Sequence, residues 1–412
     1  MRTLERVVVT GMGLASPLGC SVPAFWDGLV AGRGGVVALT SEAFAKLSTR
    51  IGALVPDLDA HWDYGSKAAR RMSRSSQLGL VAAAQALAQA GLPDARVNSE
   101  EVAVIVGSSI GGFAASDGFF REYYLRGATS PLVIPISMNN GPASNISIRY
   151  GLQGPLMALD AACASAAHAI GYCYNLIRTG QLEVAVTGGA DSPFSTGVVE
   201  AWCSMRALSE RNGEPATACR PFSADRDGMV LGEAAGILVL ESEASARRRG
   251  QPILAEIAGY GATGDGFHLT QPTPAGPARA MHKALADAGL EPDQVDAINA
   301  HGTATIWNDK IETAAIKRVF GEQAYAVPVT GHKGALGHAI GASAALQVIS
   351  CIQSIHTGLL PPTINYRVPD PECDLDYVTR GARPREVRVM MSNAFAFGGS
   401  NAVLIVRQFG DE

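Results

Sequence analysis

Cys163 lies in the run Asp160-Ala161-Ala162-Cys163-Ala164-Ser165-Ala166-Ala167-His168, a small-residue turn that follows an apolar stretch. Two histidines follow it: His301 in His301-Gly302-Thr303-Ala304-Thr305, and His338 at the end of Lys333-Gly334-Ala335-Leu336-Gly337-His338. A thiolate is a good nucleophile and a good leaving group, so it can receive and release an acyl group as a thioester. Two neutral imidazoles can donate hydrogen bonds to a thioester oxygen as negative charge grows on it. One thiol and two imidazoles at strand-to-turn junctions therefore predict carbon–carbon bond formation on a thioester. Taken singly, each residue reads as well as a buried core side chain. The glycine and small residues around each one favour chemistry.

These side chains need a frame. Short Val/Ile/Ala runs next to glycine, at 6–10, 102–106, 184–187 and 236–240, predict strands buried on both faces. Ala-rich stretches at 77–90 and 165–177 predict buried helices. A helix beginning at about Cys163 should lower the thiol pKa and offer backbone N–H groups to an oxyanion. A second series begins near Pro252: strand 253–258, helix 277–288, strands 295–299 and 327–330, and helix 341–356. It closes with a hairpin-like pair, 387–391 and 402–406, around a glycine-rich turn at Phe397-Gly398-Gly399-Ser400. The chain reads as two α/β halves, 1–250 and 251–412, with no low-complexity linker. Gly11-Met12-Gly13 starts like a dinucleotide fingerprint but lacks the third glycine and the later acid, so it reads as a structural turn.

The totals exclude several classes. A net charge of −5 over 412 residues gives no basic field for nucleic acid. Seven irregularly spaced cysteines without a CxxC pair predict neither a disulfide framework nor a metal site, and suit a cytoplasmic protein. No apolar run approaches the roughly 18 residues of a membrane span. One local basic cluster, Lys67, Arg70, Arg71 and Arg74, predicts docking of an acidic partner.

Taken together, the chain resembles the β-ketoacyl-ACP synthases of the condensing-enzyme superfamily, synthase II type. The resemblance runs over essentially its whole length. It is carried by the Cys163 turn, Gly188-Gly189-Ala190-Asp191, Arg206-Ala207-Leu208-Ser209, Arg220-Pro221-Phe222-Ser223, the run from Asp227 to Glu233, His301-Gly302-Thr303, Lys333 to His338, and Phe397-Gly398-Gly399-Ser400-Asn401. It implies an α/β, thiolase-like five-layer αβαβα fold of two duplicated halves. It also implies a homodimer, or a heterodimer with a chain-length-factor-like subunit, and substrates carried on the phosphopantetheine of an acyl carrier protein (ACP), with no other cofactor. In that likeness Cys163 carries the acyl chain, His301 and His338 hold the malonyl thioester carbonyl, and Lys333 supports the second histidine. The N–H groups of Cys163 and Phe397 form the oxyanion hole, and the Phe397 ring gates it. Thr270, Thr303 and Thr305 match pantetheine-binding positions, Ile110, Val133, Met138 and Trp202 match acyl-pocket positions, and Arg206 matches a docking position.

Ile306, Asn308, Gly331-His332, Gln347 and Ala396 depart from the fatty-acid pattern, and Val133 and Trp202 stand where phenylalanines are common. Several of these resemble nodulation-factor and polyene-making ketosynthases. They predict a specialised pathway and a preference for unsaturated, functionalised acyl chains over ordinary fatty-acid elongation. A non-catalytic chain-length factor usually lacks the cysteine. A thiolase using coenzyme A does not share the Lys333-to-His338 pattern.

Overall fold

Runs of Val, Ile, Leu and Ala form the ten strands of one sheet in the computed structural model, which describes residues 4–410. The first five are β1 (Val7–Ala15), β2 (Ala103–Gly107), β3 (Leu156–Leu159), β4 (Val184–Asp191) and β5 (Ala234–Ser242). They lie in the order β3-β2-β4-β5-β1. The other five are β6 (Ala255–Gly264), β7 (Ala297–Asn299), β8 (Val329–Thr330), β9 (Val389–Phe395) and β10 (Ser400–Arg407), in the order β8-β7-β9-β10-β6. In each half the first three strands of that order pair in parallel and the last two contacts are antiparallel. The same order with the same directions is a duplication. A short antiparallel contact, Val7–Val9 against Ala255–Ile257, joins the halves.

The helices that matter for the site are α1 (Arg74–Gln89), α2 (Phe113–Arg126), α3 (Val133–Ser137), α4 (Ser165–Arg178), α5 (Thr196–Ser204), α6 (Ala275–Ala288), α7 (Ile306–Phe320), α8 (Lys333–Leu336) and α9 (Ser343–Thr357). Helix α1 packs on β1, β4 and β5, and α6 packs on β6 and β10, each against its own half. Helices α4 and α9 touch strands of both halves and each other, so they form a shared middle layer between the two five-stranded halves of the sheet, each of which carries an outer helix layer. Their all-round apolar character follows: twelve of the fifteen residues of α9 are buried.

Two glycine-bounded runs extend further than their sequence suggests. Strand β1 does not turn at Gly11-Met12-Gly13 but continues to Ala15, past a register shift between Val9 and Gly11. The glycines answer a packing need: a Cβ on Gly11 would lie 2.1 Å from the Ala86 carbonyl oxygen of α1. Strand β4 likewise runs through Gly188-Gly189 to Asp191.

Cys163 follows β3, His301 follows β7, Lys333 follows β8 and Phe397 follows β9. All four leave the carboxyl ends of parallel strands, the side of an α/β sheet where ligands bind.

Candidate active site

The turn at Cys163 is built by its neighbours. Ala162 has a φ of +48°, a conformation costly for any residue with a Cβ and least so for small ones. Asp160 Oδ1 accepts from the Ala162 N–H at 3.1 Å, and Ser165 Oγ accepts from the Ala161 N–H at 2.9 Å while donating to the Ala162 carbonyl at 2.7 Å. The α-helix proper begins at Ser165, after a single 3-10 turn over Ala162–Ala164. A Cβ on Gly107 would stand 2.4 Å from the backbone of Ser165 and Ala166, so glycine lets β2 abut the start of α4.

The sulfur of Cys163 and one ring nitrogen from each of His301 and His338 lie within 4.8 Å of one another. All three side chains are buried, and they share the floor of a cleft of about 540 Å³. The imidazole rings meet edge-on, 5.4 Å between centroids. His338 Nδ1 is hydrogen-bonded to Ser343 Oγ at 2.9 Å, while its Nε2 is buried with no hydrogen-bond partner among the described residues. Such an orphaned atom is one that a ligand can satisfy. His301 presents Nδ1 to Lys333 Nζ at 3.4 Å, which leaves Nε2 for the cleft.

Burial, then the Lys333 charge, then His338 hold His301 well below the ordinary imidazole range. Burial and Lys333 do the same to His338. Both rings are therefore neutral at pH 7 and able to donate from Nε2. The thiol departs from the sequence expectation. Burial pushes Cys163 up to about 11, against the lowering pull of Lys333 and of the Phe397 and Cys163 N–H groups. The helix start does not win, because desolvating a thiolate costs more than a nearby dipole returns.

Lys333 also departs from expectation. Its Nζ donates to the His301 carbonyl and touches His301 Nδ1, so it supports the first histidine and not the second. The spacing of the sulfur and two imidazoles could accommodate a metal ion, but a buried ammonium beside them opposes a second cation.

Several positioning groups were invisible in the sequence. Glu312 of α7 accepts from the His301 and Gly302 N–H groups, both at 2.8 Å, and from Asn393 Nδ2 at 3.1 Å. Asp309, one turn earlier, accepts from Phe222 N and Ala304 N. Two acids three apart on the helix after His301 were the available signal. Asp191 accepts from Ser108 Oγ, Ser109 N, Ile110 N and Gly341 N, tying the Ile110 loop to the segment after His338. His332 is buried against Ser350 and Asn299.

Thr270, Thr303, Thr305, Arg206 and Phe397 line the cleft. Thr305 also caps α7, and its hydroxyl meets that of Thr303 at 2.8 Å. The Phe397 ring stacks on Trp202 at 6.0 Å. Ile110 and Trp202 pack into the apolar cluster that contains Cys163. Val133 and Met138 do not join the cleft: Val133 is half-buried at the start of α3 and Met138, just past its end, is 44% exposed. Lys67, Arg70 and Arg71 are exposed, whereas Arg74 turns to the buried Glu233 at 2.8 Å and so leaves the proposed basic patch.

The family model for the β-ketoacyl synthase N-terminal domain matches residues 4–246, and that for its C-terminal domain matches 254–367. The chain belongs to the β-ketoacyl synthase family. This condensing acyltransferase is 44% identical over 406 residues to nodulation protein E of Rhizobium sp. (strain N33), covering 98% of this chain and 99% of that one. It is 38% identical over 409 residues to a 3-oxoacyl-[acyl-carrier-protein] synthase 2 of Synechocystis sp., covering 98% of each. Among solved structures, the ishigamide ketosynthase/chain length factor superposes with a TM-score of 0.92 at 34% identity, covering 99% of this synthase and 100% of that chain. The duplicated thiolase-like fold implied by the motifs is the fold of this synthase. No helix among its described residues is long and apolar enough to cross a membrane.

Proposed function

We propose that Cys163, His301 and His338 perform a decarboxylating condensation between an acyl chain and malonyl-ACP, in a specialised rather than a housekeeping pathway. The observation that carries the reading is a buried thiol within 4.8 Å of two neutral imidazoles, one with an orphaned Nε2. Cys163 Sγ attacks the acyl thioester carbonyl, the carrier's carbon–sulfur bond breaks, and the thiol proton ends on the departing carrier thiolate. The N–H groups of Cys163 and Phe397 hold the tetrahedral oxyanion. The malonyl thioester then enters beside the histidines. Its carboxylate leaves as CO2, and the electron pair becomes an enolate whose oxygen accepts from the two Nε2–H groups. The enolate carbon attacks the Cys163 thioester, the new carbon–carbon bond forms, and the Cys163 thiolate leaves and is reprotonated.

The cleft fits a carrier-bound arm. Thr270, Thr303 and Thr305 line its wall for the pantetheine. Exposed Leu269, Ile306 and Trp307 and the exposed Arg206 surround its mouth, where an acidic ACP would seat, with Lys67, Arg70 and Arg71 as further contacts. A dimer through the outer strand β3 and helices α2 and α3 explains why Tyr124, Leu125, Ile134 and Leu156 are exposed, and why Val133 and Met138 lie on that face. The acyl pocket would then be completed at the subunit boundary, by a second copy or by a chain-length-factor-like partner.

The specialised pathway is supported by the higher identity to nodulation protein E than to the synthase 2 relative, and by Val133 and Trp202 at pocket positions. One methylene of misfit is worth about 1–3 kcal/mol of discrimination. Competition between saturated and α,β-unsaturated acyl-ACPs of matched length tests it. The unsaturated series should be used preferentially; equal or better use of the saturated series returns the protein to fatty-acid elongation.

A further inference from the structure

Lys333 is 3% exposed, and every acceptor within bonding range of its ammonium is neutral. These are the His301 carbonyl, His301 Nδ1 at 3.4 Å and Gln347 Oε1 at 3.4 Å. The negative or titratable groups that act on it, Glu312 and Asp309 of α7 with Cys163 and Cys219, do so through space. A buried ammonium without a bonded carboxylate is uncommon, because its field goes uncompensated. That field falls on the thiol and on both imidazoles.

Gln347 is held so that it can be nothing but a neutral acceptor. Its Nε2 points at four oxygens: Ala300 O and Asn393 O at 3.1 Å, and Asn299 O and Oδ1 at 3.4 Å. Four acceptors around one atom fix the amide orientation and turn Oε1 toward Lys333. Of the other polar groups on this side, His332 and Ser350 bond to each other and to Asn299, and His332 Nε2 is hydrogen-bonded to Thr330 Oγ1 at 3.2 Å. Burial and then Lys333 hold His332 down to about 3, so it too is neutral.

We propose that Gln347 is a positioning residue that keeps Lys333 a cation with no bonded carboxylate, directed at Cys163, His301 and His338, and that its neutrality sets the pH range over which the site works. The consequence for the condensation cycle rests on the functional reading above; the charge effect itself does not.

Gln347→Glu would give Lys333 a bonded carboxylate. An opposite charge at this range shifts a neighbour by about one to three pH units. With the cation compensated, the Cys163 thiol becomes harder to ionise and the imidazoles become more basic. Iodoacetamide labelling of Cys163 at pH 7, below the value of about 8 to which burial lowers Lys333, followed by peptide mass spectrometry, reads the charge without any substrate. The expected result is labelling about ten-fold slower in Gln347→Glu and within about two-fold of wild type in Gln347→Met, which removes the acceptor but adds no charge. The acid limb of malonyl-ACP decarboxylation should also move up by about one pH unit in Gln347→Glu alone. Unchanged labelling in Gln347→Glu overturns the proposal. So does labelling about ten-fold slower than wild type in Gln347→Met, which decides the matter even if the glutamate variant does not fold. A wild-type protein that decarboxylates nothing sinks the functional reading and leaves the labelling result to judge this one.

Discussion

Glu312 offers a sharp test of how the His301 turn is held. Its carboxylate accepts from two adjacent backbone N–H groups, His301 and Gly302, and from the Asn393 amide. Burial pushes this carboxyl up, while those donors favour the ionised form. Glu312→Gln keeps size and shape but leaves one acceptor oxygen for two backbone donors, so an NH2 group must face a buried N–H. Leaving one buried donor unmet costs about 1–3 kcal/mol. We expect a loss of about 2 kcal/mol in urea unfolding. A shift of His301 by a fraction of an ångström to one ångström should lower malonyl-ACP decarboxylation by about 10- to 100-fold. Acylation of Cys163 should fall much less, because the sulfur and its N–H partners stand on other elements. The assay pairs urea midpoints with CO2 release and with intact-mass loading. Wild-type stability together with wild-type decarboxylation would refute the idea that this carboxylate holds the turn.

Other predictions are more direct. His301→Ala and His338→Ala should each slow decarboxylation by about 10²–10³-fold, the scale of losing one oxyanion donor, while loading at Cys163 continues; normal CO2 release by either would remove that histidine from its role. Stability should fall on acidification. His301, His338 and His332 stay neutral in the folded state well below their unfolded value of about 6.5, so the stability they contribute is present above that pH and is lost as the pH drops. The slope should reach about 1.4 kcal/mol per pH unit for each histidine, and urea midpoints that stay flat from pH 7.5 to 5.5 would contradict it. Charge reversal at Arg70 and Arg71 should weaken ACP binding and its salt dependence while small soluble thioesters still acylate Cys163. Arg74→Glu should instead destabilise the fold through Glu233; a purely binding defect there would restore Arg74 to the docking surface.

What the sequence made legible was whatever depends on neighbours along the chain. The apolar runs of β2, β4, β5, β9 and β10, the Ala-rich α1 and α4, and helix α9 were all readable, with ends off by a few residues. The three side chains that meet in the cleft were readable because glycine and small residues surround each one. What was hidden depends on contacts between distant segments. Gly11 and Gly13 look like a turn until the Ala86 and Ala82 carbonyls of α1 are seen against them. The reach of Lys333 to His301 rather than His338, the clasp of Glu312 on the His301 turn and the four bonds to Asp191 join parts of the chain that no spacing connects. Burial of Cys163 could not be weighed against its helix start without knowing how closed the cleft is. Val133 and Met138, expected at the acyl pocket, sit at a surface outside the cleft, a placement no local pattern reveals.

The central claim is that Cys163 carries the acyl group and that both imidazoles act after it is loaded. Intact-protein and peptide mass spectrometry of the enzyme incubated first with acyl-ACP and then with malonyl-ACP tests this in one experiment. The account predicts a single acyl adduct, on Cys163 alone among the seven cysteines, that disappears as β-ketoacyl-ACP forms in wild type and persists in His301→Ala and His338→Ala. Formation of β-ketoacyl-ACP by Cys163→Ala, or an adduct on another cysteine that turns over, would contradict it.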